Sequence, residues 1–279
     1  ALNLLKVYLG IGILSLPKSF ALPGIIPAAL GLIFVGFVCT YALQLMLQVA
    51  DEQANSEKIS LRQLAQDVLG SWATKSVEIS TFFMQAGTCT GYLIFTNKFL
   101  TYAFCQLNLD YLCDRPYFNI FICMILVLPL SMITNLHFLY IPSLIAIGFV
   151  ILALGTIVGY SVDELSMKEN IWDEFMREAE QVDIWNLTLF FGVAVFAYEG
   201  IGVLFSIRKS MAKPSDISKI LNIDVSFVTV IYIFFPILCN VALGDKVRDI
   251  ILLVLPSNTG YIIIQGLYAV AIALSYPLQ

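Results

Sequence analysis

Leu9-Gly10-Ile11-Gly12-Ile13-Leu14-Ser15-Leu16-Pro17 lies inside an apolar run from Leu2 to Phe20. Its Gly-Ile-Gly recurs in Glu199-Gly200-Ile201-Gly202, inside a second run, Asn186–Ser206. Glycine costs a helix interior about 1 kcal/mol relative to alanine and proline about 3, so the first run is predicted to be poorly helical near its middle. Irregular backbone at membrane depth survives only where it lines a cavity or is buried in protein. The fold therefore turns on whether the rest of the chain supplies a membrane domain around these two segments.

The 279 residues are 59% hydrophobic and 13% charged, more apolar surface than a water-soluble core can hide. Crossing a ~30 Å hydrocarbon layer takes about 20 mostly apolar residues, and about eight stretches qualify. They are Leu2–Phe20, Gly24–Val49, Ser76–Leu107, Tyr117–Ile133, Leu139–Ser161, Asn186–Ser206, Val225–Leu243 and Gly260–Tyr276. The runs are continuous rather than alternating, so their backbone hydrogen bonds must close within helices and not around a barrel. The expected fold class is all-α, a polytopic integral membrane protein. Leu2–Phe20 has neither a basic leader nor a small-residue cleavage site and reads as a membrane segment, not a signal peptide.

Lys and Arg in short loops set orientation. Arg208, Lys209, Lys213 and Lys219 follow the sixth run, and Lys58, Arg62 and Lys75 follow the second. These connections are predicted to be cytosolic. Between Ser161 and Trp185, eight acidic residues (Asp163, Glu164, Glu169, Asp173, Glu174, Glu178, Glu180, Asp183) face only Lys168 and Arg177, so one outer connection accounts for the net charge of −5. Trp172, Phe175, Met176 and Ala179 recur there at helical spacing, as do Leu61, Leu64, Ala65 and Val68 within Ile59–Leu69. Both segments read as amphipathic interfacial helices. Four of six cysteines (Cys39, Cys89, Cys123, Cys239) lie in apolar runs without metal-ligand spacing and are expected to be free. Cys105 and Cys113, flanking the third connection, are the pair whose spacing leaves a disulfide open.

Gly- or Pro-interrupted segments at corresponding places in two halves point to a transporter binding site. An unwound turn frees amide N–H groups, and the half-helix after it presents a positive dipole end that can hold a carboxylate. Gly87/Gly91 and Gly155/Gly159 have the spacing of packing glycines instead. A valine at Gly12 is accordingly expected to block a ligand without unfolding the protein, whereas one at Gly155 is expected to disturb packing. Glu199 is a carboxylate in an apolar run, either a proton carrier or a brace for the broken helix. Lys18 reads as a snorkelling anchor. Ser15-Leu16-Pro17-Lys18 has no companion catalytic motif, and no phosphate loop, metal set or nucleic-acid signature occurs, so neither an enzyme nor a cofactor is expected.

Four blocks resemble the amino acid/auxin permease family, in particular its proton-coupled and vacuolar branches. Gly10 to Phe20 with Gly24 is similar to the first-helix signature, and Gly87-Thr88-Cys89-Thr90-Gly91-Tyr92 to the third-helix segment. Phe191 to Gly202 with Met211 is similar to the sixth-helix signature; Pro142-Ser143 and Tyr276 to Gln279 are weaker echoes. The resemblance implies two inverted five-helix repeats within a single transmembrane domain, 1–161 the first and 186–279 part of the second. The family's plan has about eleven helices, so the chain reads as a fragment or a reduced relative. Proton-coupled members carry a histidine in the second helix; this sequence has only His137, in a predicted cytosolic connection.

What the resemblance implies is alternating-access transport of small amino acids, with proton coupling left open. Backbone amides of Gly10, Ile11, Gly12, Ile13 and Leu14 would hold the carboxylate, the chain around Phe196, Glu199 and Gly200 the amino group, and Thr88 and Tyr92 would close the side. A non-transporting structural subunit beside other membrane subunits and an amino acid sensor are the alternatives. The lipid bilayer is the expected surrounding, and no nucleic acid partner is. Cysteines introduced at Lys213 and Glu174 are expected to react with an impermeant thiol reagent from opposite sides of a sealed membrane; labelling from one side refutes the orientation.

Overall fold

The computed structural model describes residues 8, 10, 12–52, 60–106, 110–113, 115–131, 136–211 and 213–275. Among them are twelve α-helices and no strand. They are α1 (Gly12–Ala21), α2 (Ile25–Asp51), α3 (Leu61–Leu69), α4 (Ser71–Gln106), α5 (Asp110–Cys113), α6 (Pro116–Ser131), α7 (Leu136–Ser166), α8 (Ile171–Glu180), α9 (Leu187–Ala197), α10 (Ile201–Ser210), α11 (Ile217–Leu243) and α12 (Thr259–Ser275).

Three described helical segments are long and apolar enough to span a membrane unaided: Ile25–Asp51, Leu144–Ser166 and Pro214–Lys246. The other expected runs fall short for physical reasons. At a 1.5 Å rise per residue, the 16 residues of α6 and 17 of α12 cover less than the ~30 Å layer. The 36-residue α4 is long enough but carries Lys75, Glu78, Gln85, Asn97 and Lys98. The sixth run is divided between α9 and α10, and of the first run only Tyr8, Gly10 and the residues from Gly12 onward are described. His137 is not in a connection, because its backbone is already in the first turn of α7. Lys58, Ile59, Leu107 and Tyr276 to Gln279 lie outside the described residues.

The chain forms two compact units, one from Ala1–Met84 and Trp172–Asn240, the other from Gln85–Ile171 and Val241–Gln279. In the first, α1 and α2 both pack on α9. Phe190 of α9 is fully buried, with the Phe20 ring edge-on at 5.6 Å, and Gly31 of α2 leaves room for it, since a Cβ there would come within 2.9 Å of its ring. Below them α3 starts at an N-cap, the Gln63 N–H donating to the Ser60 hydroxyl at 3.3 Å. Leu64 of α3 is buried with Ala50 and Phe205, and Leu61 packs beside them, whereas Val68 is 46% exposed and outside the stripe predicted for it. Arg208, only 3% exposed along its side chain, pairs with Asp51. Gln44 donates to Ser218 O and Asn222 Oδ1, both at 2.8 Å, tying α2 to α11.

In the second unit α7 packs against α12, with Tyr160 and Tyr261 in edge contact at 6.2 Å. Cys105 and Cys113 are joined as a disulfide, their Cα atoms 5.0 Å apart, and the fully buried Asn119 donates to Thr101 Oγ1 and Leu112 O beside it. Cys39, Cys89, Cys123 and Cys239 are in no disulfide. Gly87, Gly155 and Gly159 do not pack as their spacing suggested: all three are exposed, and nothing described lies within 4 Å of an added Cβ. Their period is helical, but it falls on an outward face.

At the turn between α1 and α2, Gly24 has a φ of +97°, and a Cβ there would meet Gln181 O at 1.8 Å. The Asp183 N–H donates to Pro23 O at 3.1 Å in the same turn, so the chain after α8 lies across it. Gly24→Ala is expected to cost about 2 kcal/mol or more, from strain and displaced backbone together. Gly155→Ala is expected to stay within about 1 kcal/mol of the parent or to stabilise it. Thermal unfolding of the two variants in detergent checks both.

Candidate functional site

The two sequence breaks meet in the first unit. α9 ends at Ala197, where the Tyr198 N–H turns back to Ala194 O at 3.1 Å and the Glu199 N–H to Phe196 O at 3.2 Å. Glu199 and Gly200 are non-helical, and α10 starts again at Ile201, with the Leu204 N–H on Gly200 O at 3.2 Å. On the other segment Gly10 is a half-buried bend just before α1. Each break therefore sets the start of a half-helix at the interior, with first-turn N–H groups that an α-helix cannot bond to itself.

Glycine makes the approach possible at both places. A Cβ on Gly12 would lie 3.1 Å from Ala197 Cα, and one on Gly200 would lie 2.8 Å from the Tyr8 hydroxyl oxygen. Gly12 is thus a close contact between the two broken helices. The expected contrast with Gly155 is reversed: Gly12 is the packed glycine, and a valine there presses on backbone.

Three tyrosines surround the breaks. Tyr232 of α11 is fully buried, and its hydroxyl is shared between Tyr8 O and, at 3.0 Å, Ala197 O. Tyr198, 3% exposed, has its hydroxyl 2.7 Å from Thr229 Oγ1, which itself donates to Val225 O at 2.8 Å. Gly36 of α2 lies against this pair, its Cβ position 2.9 Å from the Tyr198 hydroxyl oxygen. Tyr8 is 2% exposed. Nearer the end of α1, Asn240 donates to Pro17 O and Pro236 O, both at 2.8 Å.

The structure brings together Gly10, Gly12, Ile13, Leu14, Phe196, Glu199 and Gly200 in the first unit, while Ile11 lies outside the described residues. Ile13 and Leu14 are fully buried, leaving their backbone as the usable part; Phe196 and Glu199 are half-buried, and Glu199 is engaged by an interaction of its own. Thr88 and Tyr92 are buried on α4 in the second unit. Ala194, Phe196, Ala197 and Gly200 already accept hydrogen bonds within the chain, so an ammonium would have to use second lone pairs or the remaining carbonyls. The sequence reading missed Tyr8, Tyr198, Thr229 and Tyr232. A tyrosine in an apolar run is an ordinary core residue by composition, and only the buried hydroxyl with a partner marks it.

The family described as transmembrane amino acid transporter protein matches residues 1–279. The chain is 29% identical over 278 residues to vacuolar amino acid transporter 3 of Schizosaccharomyces pombe, covering 100% of this chain and 41% of that protein. It is 30% identical over 281 residues to vacuolar amino acid transporter 4 of Saccharomyces cerevisiae, covering 100% of this chain and 38% of that one. Amino acid transporter ANT1 of Arabidopsis thaliana is 28% identical over 281 residues, 99% of this chain and 63% of its own length. The chain thus spans less than two thirds of each of these relatives.

Tyr232→Phe is expected to destabilise the protein by about 1–3 kcal/mol, because it removes the donor shared by two buried carbonyls. Tyr198→Phe is expected to cost less, since the Thr229 hydroxyl keeps Val225 O. Thermal unfolding of both variants, ranked against the parent, checks the order.

Proposed function

This chain belongs to the transmembrane amino acid transporter family, and from that premise we propose that it forms the substrate-binding part of a secondary transporter of small amino acids. It is an integral membrane protein. The observation that carries the proposal is the pair of half-helix starts, at Gly12 and Ile201, held together inside one unit. An amino acid is a zwitterion, and its carboxylate suits the first-turn amides and positive dipole ends there. Its ammonium suits the carbonyl end of α9 around Phe196 to Gly200, where the dipole is negative.

The mechanism that fits a pair of half-helix starts is alternating access. Helices 1–161 and 186–279 are read as the two inverted repeats, the second incomplete within this chain. A preference for small side chains is read from the close approach at the breaks, where Tyr8 lies against Gly200 and Ala197 against Gly12.

The full-length protein in liposomes is expected to exchange radiolabelled alanine across the membrane; no exchange of alanine or of any other amino acid in a neutral, acidic and basic panel rejects transport. Glu199 is already engaged and is read as the brace of the break. Glu199→Gln is therefore expected to keep both exchange and any accumulation driven by a pH gradient. Selective loss of the driven component restores Glu199 as proton carrier.

A further inference from the structure

α11 buries one continuous stripe at three- and four-residue spacing: Ile217, Leu221, Val225, Val228, Tyr232 and Phe235, each at most 5% exposed. Asp224 is the charged member of that stripe, 6% exposed. Its Oδ2 is enclosed and has no hydrogen-bond partner among the described residues. Seven residues into α11 from Ile217, it stands about 10 Å along the helix from the start. Arg208, the basic residue buried in the same unit, is committed to Asp51 instead.

A second enclosed group is left over in the same unit. The Tyr8 hydroxyl is buried and likewise has no partner. It lies within electrostatic reach of Asp224, Cys39 and Tyr198 and against Gly200, at the start of α10. Two enclosed polar groups without partners are costly as they stand, since each forgoes a hydrogen bond. An unpaired buried charge costs more, and taking up a proton removes it. A hard divalent ion such as Ca2+ collects six to eight oxygens. One carboxylate oxygen and one hydroxyl suit a proton.

We infer that Asp224, enclosed with the Tyr8 hydroxyl beside the break at Gly200, is the site at which this protein takes up and releases a coupled proton. In the charged state the carboxylate holds both oxygens as acceptors. On protonation, one H+ from the water on either side of the membrane bonds to Oδ2, and the neutral acid becomes a donor facing the polar layer; deprotonation returns the same H+ to the opposite side. No electrons move and no other group is consumed. Tyr8, before α1, is within electrostatic reach of Asp224; Cys39 on α2 and Tyr198 at the end of α9 lie around Tyr8, and Tyr232 on α11 is within reach of both Tyr8 and Tyr198. Because Tyr8 touches Gly200, the charge on Asp224 is felt where the substrate-binding half-helix begins. The inference rests on the proposed transport for its purpose, not for its chemistry.

Two measurements on the full-length protein test it separately from that reading. In a pH-induced infrared difference spectrum of the detergent-solubilised protein, a protonated-carboxyl C=O band is expected in the parent and its loss in Asp224→Asn. A spectrum that the substitution leaves unchanged overturns the assignment, whatever the protein transports. In liposomes, Asp224→Asn is expected to retain alanine exchange at equal pH while accumulation driven by a pH gradient falls to the level without a gradient. Driven accumulation equal to the parent's, or equal loss of exchange and driven uptake in a folded variant, also overturns it. A parent that exchanges no amino acid refutes the transport reading alone, and the infrared result still decides the proton site. Should Asp224→Asn fail to fold, Asp224→Glu takes its place. It keeps a titratable group one methylene further out, so the pH midpoint of the carboxyl band is expected to shift, and an unmoved midpoint counts against the proposal.

Discussion

The Tyr232 hydroxyl, shared between Tyr8 O and Ala197 O, is the contact on which the interior of the first unit depends. Inside a hydrocarbon layer no solvent is available to a backbone carbonyl that has lost its helical donor, and each such loss costs several kcal/mol. Two helices that stop in mid-membrane would therefore expose carbonyls at two places. Placing both ends beside one buried phenol answers the two problems with a single side chain and fixes the spacing of the breaks. The tyrosine has the right reach and rigidity, and its ring fills the apolar stripe of α11 on the way.

Close approach is the second condition, and glycine meets it unevenly. Gly12 admits the backbone of Ala197, Gly31 the ring of Phe190, Gly36 the hydroxyl of Tyr198 and Gly200 that of Tyr8. Each contact would be lost to a single β-carbon. The same residue on the outward faces of α4 and α7 meets nothing, so glycine frequency alone says little about packing. At the far end of the unit the buried Arg208 joins α10 to the end of α2 through Asp51. Asp51 is itself 61% exposed, so the pair adds little net stability, but removing it would leave the buried Arg208 charge uncompensated, and the pair thereby enforces one arrangement of these helix ends.

Much of this was legible in the sequence because it follows from local rules. Continuous apolar runs gave α2, α7 and α11; Gly-Ile-Gly gave the interruption between α9 and α10; the spacing of Trp172, Phe175 and Met176 gave α8. What escaped was what depends on partners distant in the chain. The ring of Tyr232 is unremarkable until Tyr8, 224 residues away, supplies a carbonyl. Asp224 falls one residue before the seventh run as drawn from Val225 and so was not singled out, whereas α11 begins at Ile217 and carries it inside. Gly12 read as a ligand-facing residue because its motif is irregular, yet the irregularity also serves contact with Ala197. Cys105 and Cys113 left their pairing open because a separation of 8 residues does not by itself bring two Cβ atoms together; the α4–α5 turn does.

Two carboxylates near the breaks look equivalent to a hydropathy argument, and their surroundings separate them. Glu199 sits in the unwound segment itself, half-buried and engaged. A group that holds a broken helix together must keep one protonation state, because changing it would release the break whenever pH changed. Asp224 is on an intact helix whose hydrogen-bond ladder does not depend on it, within an apolar stripe, with one oxygen unspent. A group in that position can change charge without unwinding anything, and the cost of its charge is felt by the Tyr8 hydroxyl against Gly200. Bracing and titration are conflicting demands on a single acid. In the proposed reading the two are divided between Glu199 at the break and Asp224 on the unbroken α11, so that the helix ends stay fixed while the electrostatic field at them varies.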